Sequence, residues 1–276
     1  MRFLGRILPR NDFKRINGMK QTLKVVKIGG KLIENEALLN SFMDDFVEMK
    51  GPKILVHGGG NKATEVAGKL GFKTKMIDGR RITNKESMEV ITMVYGGLLN
   101  KSIVAGLQAK KQNAIGLCGA DGKVLISKKR ENKEIDYGYV GDVVHVNINF
   151  IESLLKQNIV PVFSAISCTD GGMLLNTNGD SVASEITIAM SKTYETQLYY
   201  CSEKKGVLRD IEDDNSVITE LNSENYKELI ASKVITDGML PKLHNCFEAI
   251  SRGVSAVFLG DANLLKENVS HTKIVK

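Results

Sequence analysis

Tryptophan is absent from this chain, proline occurs only 4 times, and aromatic residues make up 6% of its 276 positions. Glycine, by contrast, occurs 26 times, a balance that suits glycine-rich loops on an α/β scaffold. No apolar run approaches the ~18–20 residues needed to span a bilayer, so no membrane partner is expected. The 4 cysteines (Cys118, Cys168, Cys201, Cys246) are far apart and form no C-x-x-C pair. That excludes a disulfide framework or a zinc site and leaves small, reduced core residues of a cytoplasmic protein. The net charge of +6 is modest, and no basic run is interleaved with aromatics. Nucleic acid is therefore not expected as a partner, whereas phosphate ligands are compatible with the balance.

Several catalytic signatures are missing as well. There is no G-x-x-x-x-G-K-[ST], no G-x-G-x-x-G followed by an acidic residue, no H-R-D with D-F-G, no H-E-x-x-H and no G-x-S-x-G. His57, His145, His244 and His271 stand isolated, which fits structural or exposed roles. His57 abuts a glycine run, where an orienting hydrogen bond is the expected use.

What is present is a repeated strand–glycine–helix pattern. "ILVHGGG" runs from Ile54 to Gly60 and leads into "NKATEVAGKLG", where Val66, Ala67 and Leu70 recur at helical spacing. Glycines let backbone N–H groups approach a ligand, and a helix N-terminus adds unpaired N–H groups and partial positive charge. Together these make an anion site, most often for phosphate. "LKVVKIGGKL" repeats the pattern, with a helix expected around Ala37–Val47. "FKTKMIDGRRITN" reads as a β-hairpin with a D-G turn. Glu86 to Lys110 reads as one long helix with Met88, Ile91, Val94, Leu98 and Leu99 on one face. "AIGLCGADG" is a strand ending in glycines, and "VLISKKRENKEIDYGYVGDVVHVN" a second antiparallel excursion. "IVPVFSAI" is a buried strand followed by a helix from about Ser181, "QLYYC" is another strand, and "SAVFLG" the last.

Strands alternating with helices imply a mainly parallel sheet covered on both faces, whose ligands gather beyond the carboxyl ends of the strands. Gly29–Gly30, Gly58–Gly60, Gly119–Gly122 and Gly206 all fall at that edge. Lys27 and Lys242 stand beside glycine turns, and Asp180 lies at a loop-to-helix junction. At this length the chain is one large α/β domain or two lobes sharing a sheet, since a domain typically runs roughly 100–200 residues.

The stretches "VVKIGGKL", "ILVHGGGNK", "DGRRIT", "YGYVGDV", "LLNTNGDSVAS" and "VITDGMLPK", in this order, resemble the amino acid kinase family from Leu23 to about Gly260. The resemblance implies an open three-layer α/β/α sandwich with a mainly parallel central sheet. It implies an acyl-amino-acid-binding and dimerisation lobe over residues 19–188 and a nucleotide-binding lobe over 189–276, in a homodimer. The implied reaction is ATP-dependent phosphorylation of the γ-carboxylate of an N-acylglutamate in arginine biosynthesis. Acetyl is favoured as the acyl group, with succinyl as the alternative. A non-catalytic regulatory relative is the rival reading, and retention of Lys27, Asp180 and Lys242 speaks against it.

By the same resemblance Lys27 and Lys242 stabilise the transferring phosphoryl group, and Asp180 holds both ammonium groups. Gly59 and Gly60 offer N–H donors, Arg81 pairs with the substrate α-carboxylate, and Asn176, supported by Asn178, contacts the acylamino group. Arg80 is expected in solvent, because alternation sends neighbours to opposite faces. Gly29, Gly30, Ser202, Glu203, Gly206 and Thr236 are implied at the nucleotide. Mg2+ is expected on the ATP phosphates and waters, with no protein ligand assigned.

The match departs from the family in three places. The nucleotide loop, usually Ser-Asp-Val-x-Gly, reads Ser202-Glu203-Lys204-Lys205-Gly206. The carboxyl end lacks a His- and Gly-rich segment, so arginine inhibition and a hexameric ring are not expected. Residues 1–18, "MRFLGRILPRNDFKRING", place Arg2, Arg6, Arg10 and Lys14 at four-residue spacing with Pro9 between them. They read as a basic extension or a start misplaced ahead of Met19.

Overall fold

The computed structural model describes residues 15–16, 19–77, 80–132, 134–232, 234–235 and 239–276. The basic spacing of Arg2, Arg6, Arg10 and Lys14, the Asp78–Gly79 turn and Thr236 lie outside the described residues.

Eight strands form the central sheet: β1 (Thr22–Ile28), β2 (Lys53–His57), β3 (Ala114–Leu117), β4 (Val160–Ser164), β5 (Glu195–Cys201), β6 (Glu220–Leu221), β7 (Ala256–Gly260) and β8 (Thr272–Ile274). Their spatial order is β6-β8-β7-β5-β1-β2-β4-β3, and all neighbours are parallel except β7 and β8. The final pair corrects the expectation that "SAVFLG" is the last strand. Thr272–Ile274 is too short and polar to show a strand pattern. Its place is set by Thr272, whose buried hydroxyl accepts from the Val207 N–H and donates to the Ile218 carbonyl.

The alternation of β1 explains the layers. Leu23 and Val25 join a core under the helices Ile148–Leu155, Gly179–Met190 and Leu240–Ser251, where Ile151, Ile186 and Leu243 are buried. Val26 and Ile28 join a second core on the opposite face, against Phe42, Phe46, Ile103 and Leu107. Those four come from the helices Glu36–Glu48 and Asn100–Ala109. The first core runs continuously from β2 to β7, so the two halves of the chain share one sheet and one interior. The 188/189 boundary falls inside the helix Gly179–Met190.

Three smaller sheets accompany the central one among the described residues, one of them the short antiparallel pair Arg15–Ile16 with Met19–Lys20. Leu174–Asn176, Ile166–Cys168, Leu125–Lys129 and Gly141–Val146 make a four-stranded layer, and Lys75–Ile77 pairs antiparallel with Arg80–Ile82 as the expected hairpin.

The long helix spans Lys85–Ala109, but Thr92–Leu99 within it is a π-helix. This revises the expected apolar face. Met88, Ile91 and Val94 are buried, whereas the wider turn leaves Leu98 51% exposed. Its length and composition would suffice to cross a membrane, yet one side of it lies in the protein interior.

His57 closes β2 with both ring nitrogens engaged. Nδ1 lies 2.8 Å from the Gly58 carbonyl, and Nε2 lies 3.1 Å from the Asn100 amide nitrogen, which also donates to Val162 O. The amide can only donate, so Nε2 must be the acceptor and Nδ1 the N–H. Complete burial, and secondarily the Lys101 charge, outweigh the Gly58 bond and push the His57 pKa down to about 4. Unfolded histidine titrates near ~6.5. Between those values the unfolded chain binds a proton that the folded chain refuses, so stability rises with pH across that window. We expect about 3 kcal/mol of unfolding free energy to be lost as pH falls from 6.5 to about 4. A His57→Gln variant should lack this increment, and urea titrations of both proteins across that window measure it.

Candidate active site

At the carboxyl edge of the central sheet lies a cavity of about 680 Å³. Its position follows from the parallel strands. β1 and β2 each end there and hand the chain to a helix that begins there. Two further helices, one after Leu174–Asn176 and one after the helix Ser223–Ala231, start at the same place. The helices Gly30–Glu34, Gly60–Lys69, Gly179–Met190 and Leu240–Ser251 all open on it. The first N–H groups of each helix have no partner within that helix, and the helix dipoles add positive potential.

Lys27 stands near the end of β1, with Nζ 2.7 Å from Asp180 Oδ1. The side chains are 17% and 29% exposed, so solvent screens the pair only in part. Burial pushes the Asp180 carboxyl up, but Lys27 and Lys242 together outweigh it and hold the group below the ordinary carboxylate range. Lys242 enters from the first turn of Leu240–Ser251, where Pro241 provides a helix-compatible start. The three residues thus come from a strand, the helix after the N-x-N-x-D loop and a helix in the second half of the chain.

The glycine run sits beside them. Gly59 precedes the helix Gly60–Lys69 with φ +152°, and a Cβ there would collide with Leu99 Cδ1 and lie 3.1 Å from the Tyr95 ring. At Gly58 a Cβ would meet nothing within 4 Å. Tyr95 lies in the π-helical segment and lines the cavity. Its role was not legible in sequence, because the segment does not follow helical periodicity.

Arg81 also lines the cavity, and its guanidinium is partly engaged already. It donates to Gly60 O (2.8 Å), Thr64 Oγ1 (2.8 Å) and Thr74 Oγ1 (3.0 Å), tying the hairpin to the Gly60 helix. Arg80 is exposed, as expected of a solvated neighbour of Arg81, and it borders the same cavity. The hairpin edges the cavity instead of covering it, so both of its faces reach it. Arg130, which sequence reading passed over, borders the cavity too and makes a two-pronged pair with Asp142. The "VGDV" stretch that carries Asp142 was the available signal.

Asn176 lines the cavity, its amide nitrogen 3.0 Å from Thr83 Oγ1. Asn178 caps the Gly179 helix: its side-chain oxygen accepts from the N–H groups of Asp180 and Ser181. Of the residues expected at substrate or phosphate, Lys27, Gly29, Gly30, Gly59, Gly60, Arg81, Asn176, Asn178, Asp180 and Lys242 therefore share one concave surface.

The altered loop lies next to it. The Ser202 N–H and hydroxyl both donate to Gly260 O (2.7 and 3.2 Å), and Glu203 pairs with Lys31 at 2.5 Å. Gly206 is backed by Thr272, whose hydroxyl would lie 2.5 Å from a Cβ. A second cavity of about 430 Å³ opens here, with Val207, Leu208, Ile211, Val234, Ile235 and Met239 in its wall. Lys204, Arg209 and Asp210 add charge to this otherwise apolar wall. A third cavity, about 320 Å³, lies at the opposite sheet edge. Its buried Lys53 is already held by the carbonyls of Phe46, Val47 and Met49.

Comparison with known proteins gives the family of the chain. Residues 22–261 match the amino acid kinase family. The acetylglutamate kinase of Phocaeicola vulgatus is 51% identical over 249 residues, covering 90% of this chain and 97% of that protein. Among solved structures, smu.665 from Streptococcus mutans superposes with a TM-score of 0.72 at 26% identity, covering 92% of this chain and 98% of that one. The N-acetylglutamate synthase of Neisseria gonorrhoeae, solved with coenzyme A and N-acetyl-glutamate, gives a TM-score of 0.77. It is 17% identical, over 93% of this chain and 59% of that one, and speaks to the fold alone.

The two glycines make opposite demands. Gly59→Ala combines a backbone conformation that side chains resist with a clash against Leu99 and a tight approach to the Tyr95 ring, at a cost of about 1–3 kcal/mol. Gly58→Ala should stay within about 0.5 kcal/mol of the parent. Denaturant unfolding of the two variants checks this, and equal losses would contradict the strain at Gly59.

Proposed function

Because the chain belongs to the amino acid kinase family, we propose that this cavity transfers the γ-phosphoryl group of ATP to the γ-carboxylate of N-acetyl-L-glutamate, the acetylglutamate kinase step of arginine biosynthesis. One observation carries the reading: Lys27, Asp180 and Lys242 meet where several helix N-termini converge.

The chemistry needs what this site has and nothing that it lacks. A glutamate γ-carboxylate has an ordinary pKa of ~4.3 and is ionised at neutral pH, so no general base is required. The barrier is the approach of one anion to another. Catalysis then rests on positioning and on cations placed where charge gathers in the transition state. Lys27 and Lys242 supply those charges from two directions. Asp180 fixes the Lys27 ammonium directly and reduces the repulsion between the two lysines. Backbone N–H groups at Gly30, Gly59 and Gly60 hold phosphate and carboxylate oxygens at distances a side chain would prevent. Arg81 offers its remaining donors to the substrate α-carboxylate, and Asn176 meets the acylamino group. Mg2+ would arrive on the ATP phosphates and neutralise part of their charge.

Residues 19–188 form the acyl-amino-acid half in this reading and 189–276 the nucleotide half. Ser202, Glu203, Gly206 and Thr236 lie on the nucleotide side, where the apolar cavity near Gly206 accepts the base. The protein acts in the cytoplasm as a homodimer joined through the first half, where Met93 (54% exposed) and Leu98 lie on the outside of the long helix.

Purified protein given ATP, Mg2+ and N-acetylglutamate should yield a hydroxylamine-trappable acyl phosphate, and free glutamate should not. N-succinylglutamate run in parallel reads the acyl pocket. Lys27→Ala and Lys242→Ala should each lower kcat by about a hundredfold or more while thermal midpoints stay close to the parent. Arg81→Ala should chiefly raise KM for the acylated amino acid. Unchanged turnover in both lysine variants would defeat the mechanism. Separately, Met93→Glu with Leu98→Glu should shift the light-scattering mass to that of one chain, while an unshifted dimer would move the interface elsewhere.

A further inference from the structure

Lys27 is fixed by its strand and by Asp180, but Lys242 comes from another helix and must be held in place without losing its charge. A second carboxylate beside it would hold it firmly and cancel the very charge that the transferring phosphoryl group needs. The structure offers a neutral alternative in Tyr200.

Tyr200 lies on β5 in register with Lys27 on β1, so the two side chains project from the same face of the sheet toward the Gly179 helix. It is 2% exposed. Its ring sits beneath Lys242, with Nζ 5.4 Å from the centroid. Its hydroxyl donates to the backbone carbonyl of Asp180 at 3.1 Å and is also in hydrogen-bond contact with Ser184 one turn later. Burial, and then the Asp180 charge, hold the phenol well above its usual pKa, so it stays protonated and neutral. An aromatic face attracts an ammonium electrostatically and leaves its net charge intact.

We propose that Tyr200 is a positioning residue for phosphoryl transfer. Its ring is the surface against which the Lys242 ammonium is held, and its hydroxyl anchors the helix turn that carries Asp180. One buried side chain thereby sets the spacing between Asp180 and Lys242 across the seam of the two halves. The inference rests on the roles given above to Lys242 and Asp180.

The experiment compares Tyr200→Phe, which keeps the ring, with Tyr200→Leu, which removes it, in the parent and in Lys242→Ala. In the parent, Tyr200→Phe should lower kcat by about threefold, and the step from Phe to Leu by about tenfold more. KM for N-acetylglutamate should stay within about twofold throughout. In Lys242→Ala the step from Phe to Leu should cost less than about twofold, because the ring no longer has an ammonium to hold. Tyr200→Met replaces the leucine variant if thermal melts show that the latter does not fold. An equal loss in both backgrounds would make Tyr200 a packing residue and overturn the proposal, as would parental kcat in Tyr200→Leu. Parental kcat in Lys242→Ala would instead overturn the role of Lys242 itself.

Discussion

Two ammonium groups in one cavity repel each other, and the Asp180 carboxylate is what makes their company tolerable. The arrangement is costly without a ligand: helix N-termini, Lys27, Lys242 and three arginines all present positive potential to one partly desolvated volume. Asp180 answers it at a single point, and its lowered proton affinity is the measure of how strongly the surrounding charge favours its ionised form. An anionic phosphoryl group entering the cavity meets a surface already organised for it. The parallel sheet supplies part of this field, because β1 and β2 send the Gly30 and Gly60 helices out with the same polarity. The Gly179 and Leu240 helices reach the same edge from outside the central sheet.

The glycine loop depends on a second set of constraints, reached through the interior. His57 is locked between the Gly58 carbonyl and Asn100, and Asn100 in turn reaches the β4 backbone at Val162. The helix bearing Asn100 continues from the π-helical segment, which sets Tyr95 and Leu99 against Gly59. A neutral imidazole, an amide and a ring therefore define the path of a loop whose own residues contribute only backbone. Arg81 extends the assembly outward by fastening the hairpin to the same helix N-terminus. π-turns often accompany functional sites, and here the widened turn coincides with the residue that closes over the glycine.

Much of this was legible in the sequence, for identifiable reasons. The glycine runs at Gly29–Gly30 and Gly58–Gly60 marked the cavity edge, whereas Gly119–Gly122 and Gly206 do not line that cavity. Ordered motifs picked out Lys27, Asp180 and Lys242, which do line it, although more than 50 residues of chain separate each from the next. Other features escaped because their signals are not local. The π segment disguised Tyr95 and turned Leu98 outward, against helical spacing. Thr272–Ile274 is a strand only because β7 and a buried threonine place it there. Arg80 is solvent-exposed as alternation implies, but its place on the cavity rim follows from where the hairpin sits, which alternation does not give. Asn178 carries two uses in one motif, and its helix-capping bonds are visible only once the helix start is located.

The seam between the halves decides where adaptation can occur. β1 and β5 pair along their whole length, from Thr22 with Glu195 to Ile28 with Cys201, and one apolar core crosses beneath them. Rotation of one half against the other would break that ladder and open the core, so Lys27 and Tyr200 keep fixed relative positions. Contacts above the sheet are lighter: an exposed Lys31–Glu203 pair links the first glycine turn to the altered nucleotide loop. An exposed pair of this kind contributes about 0–1 kcal/mol and can exchange partners at small cost. Rigidity therefore belongs to the groups proposed to meet the transferring phosphoryl, and adjustability to the loop proposed to meet the rest of the nucleotide. In the proposed reaction, Glu203 in place of the family's aspartate falls in this lighter layer, through its exposed pair with Lys31, and not on β1 or β5.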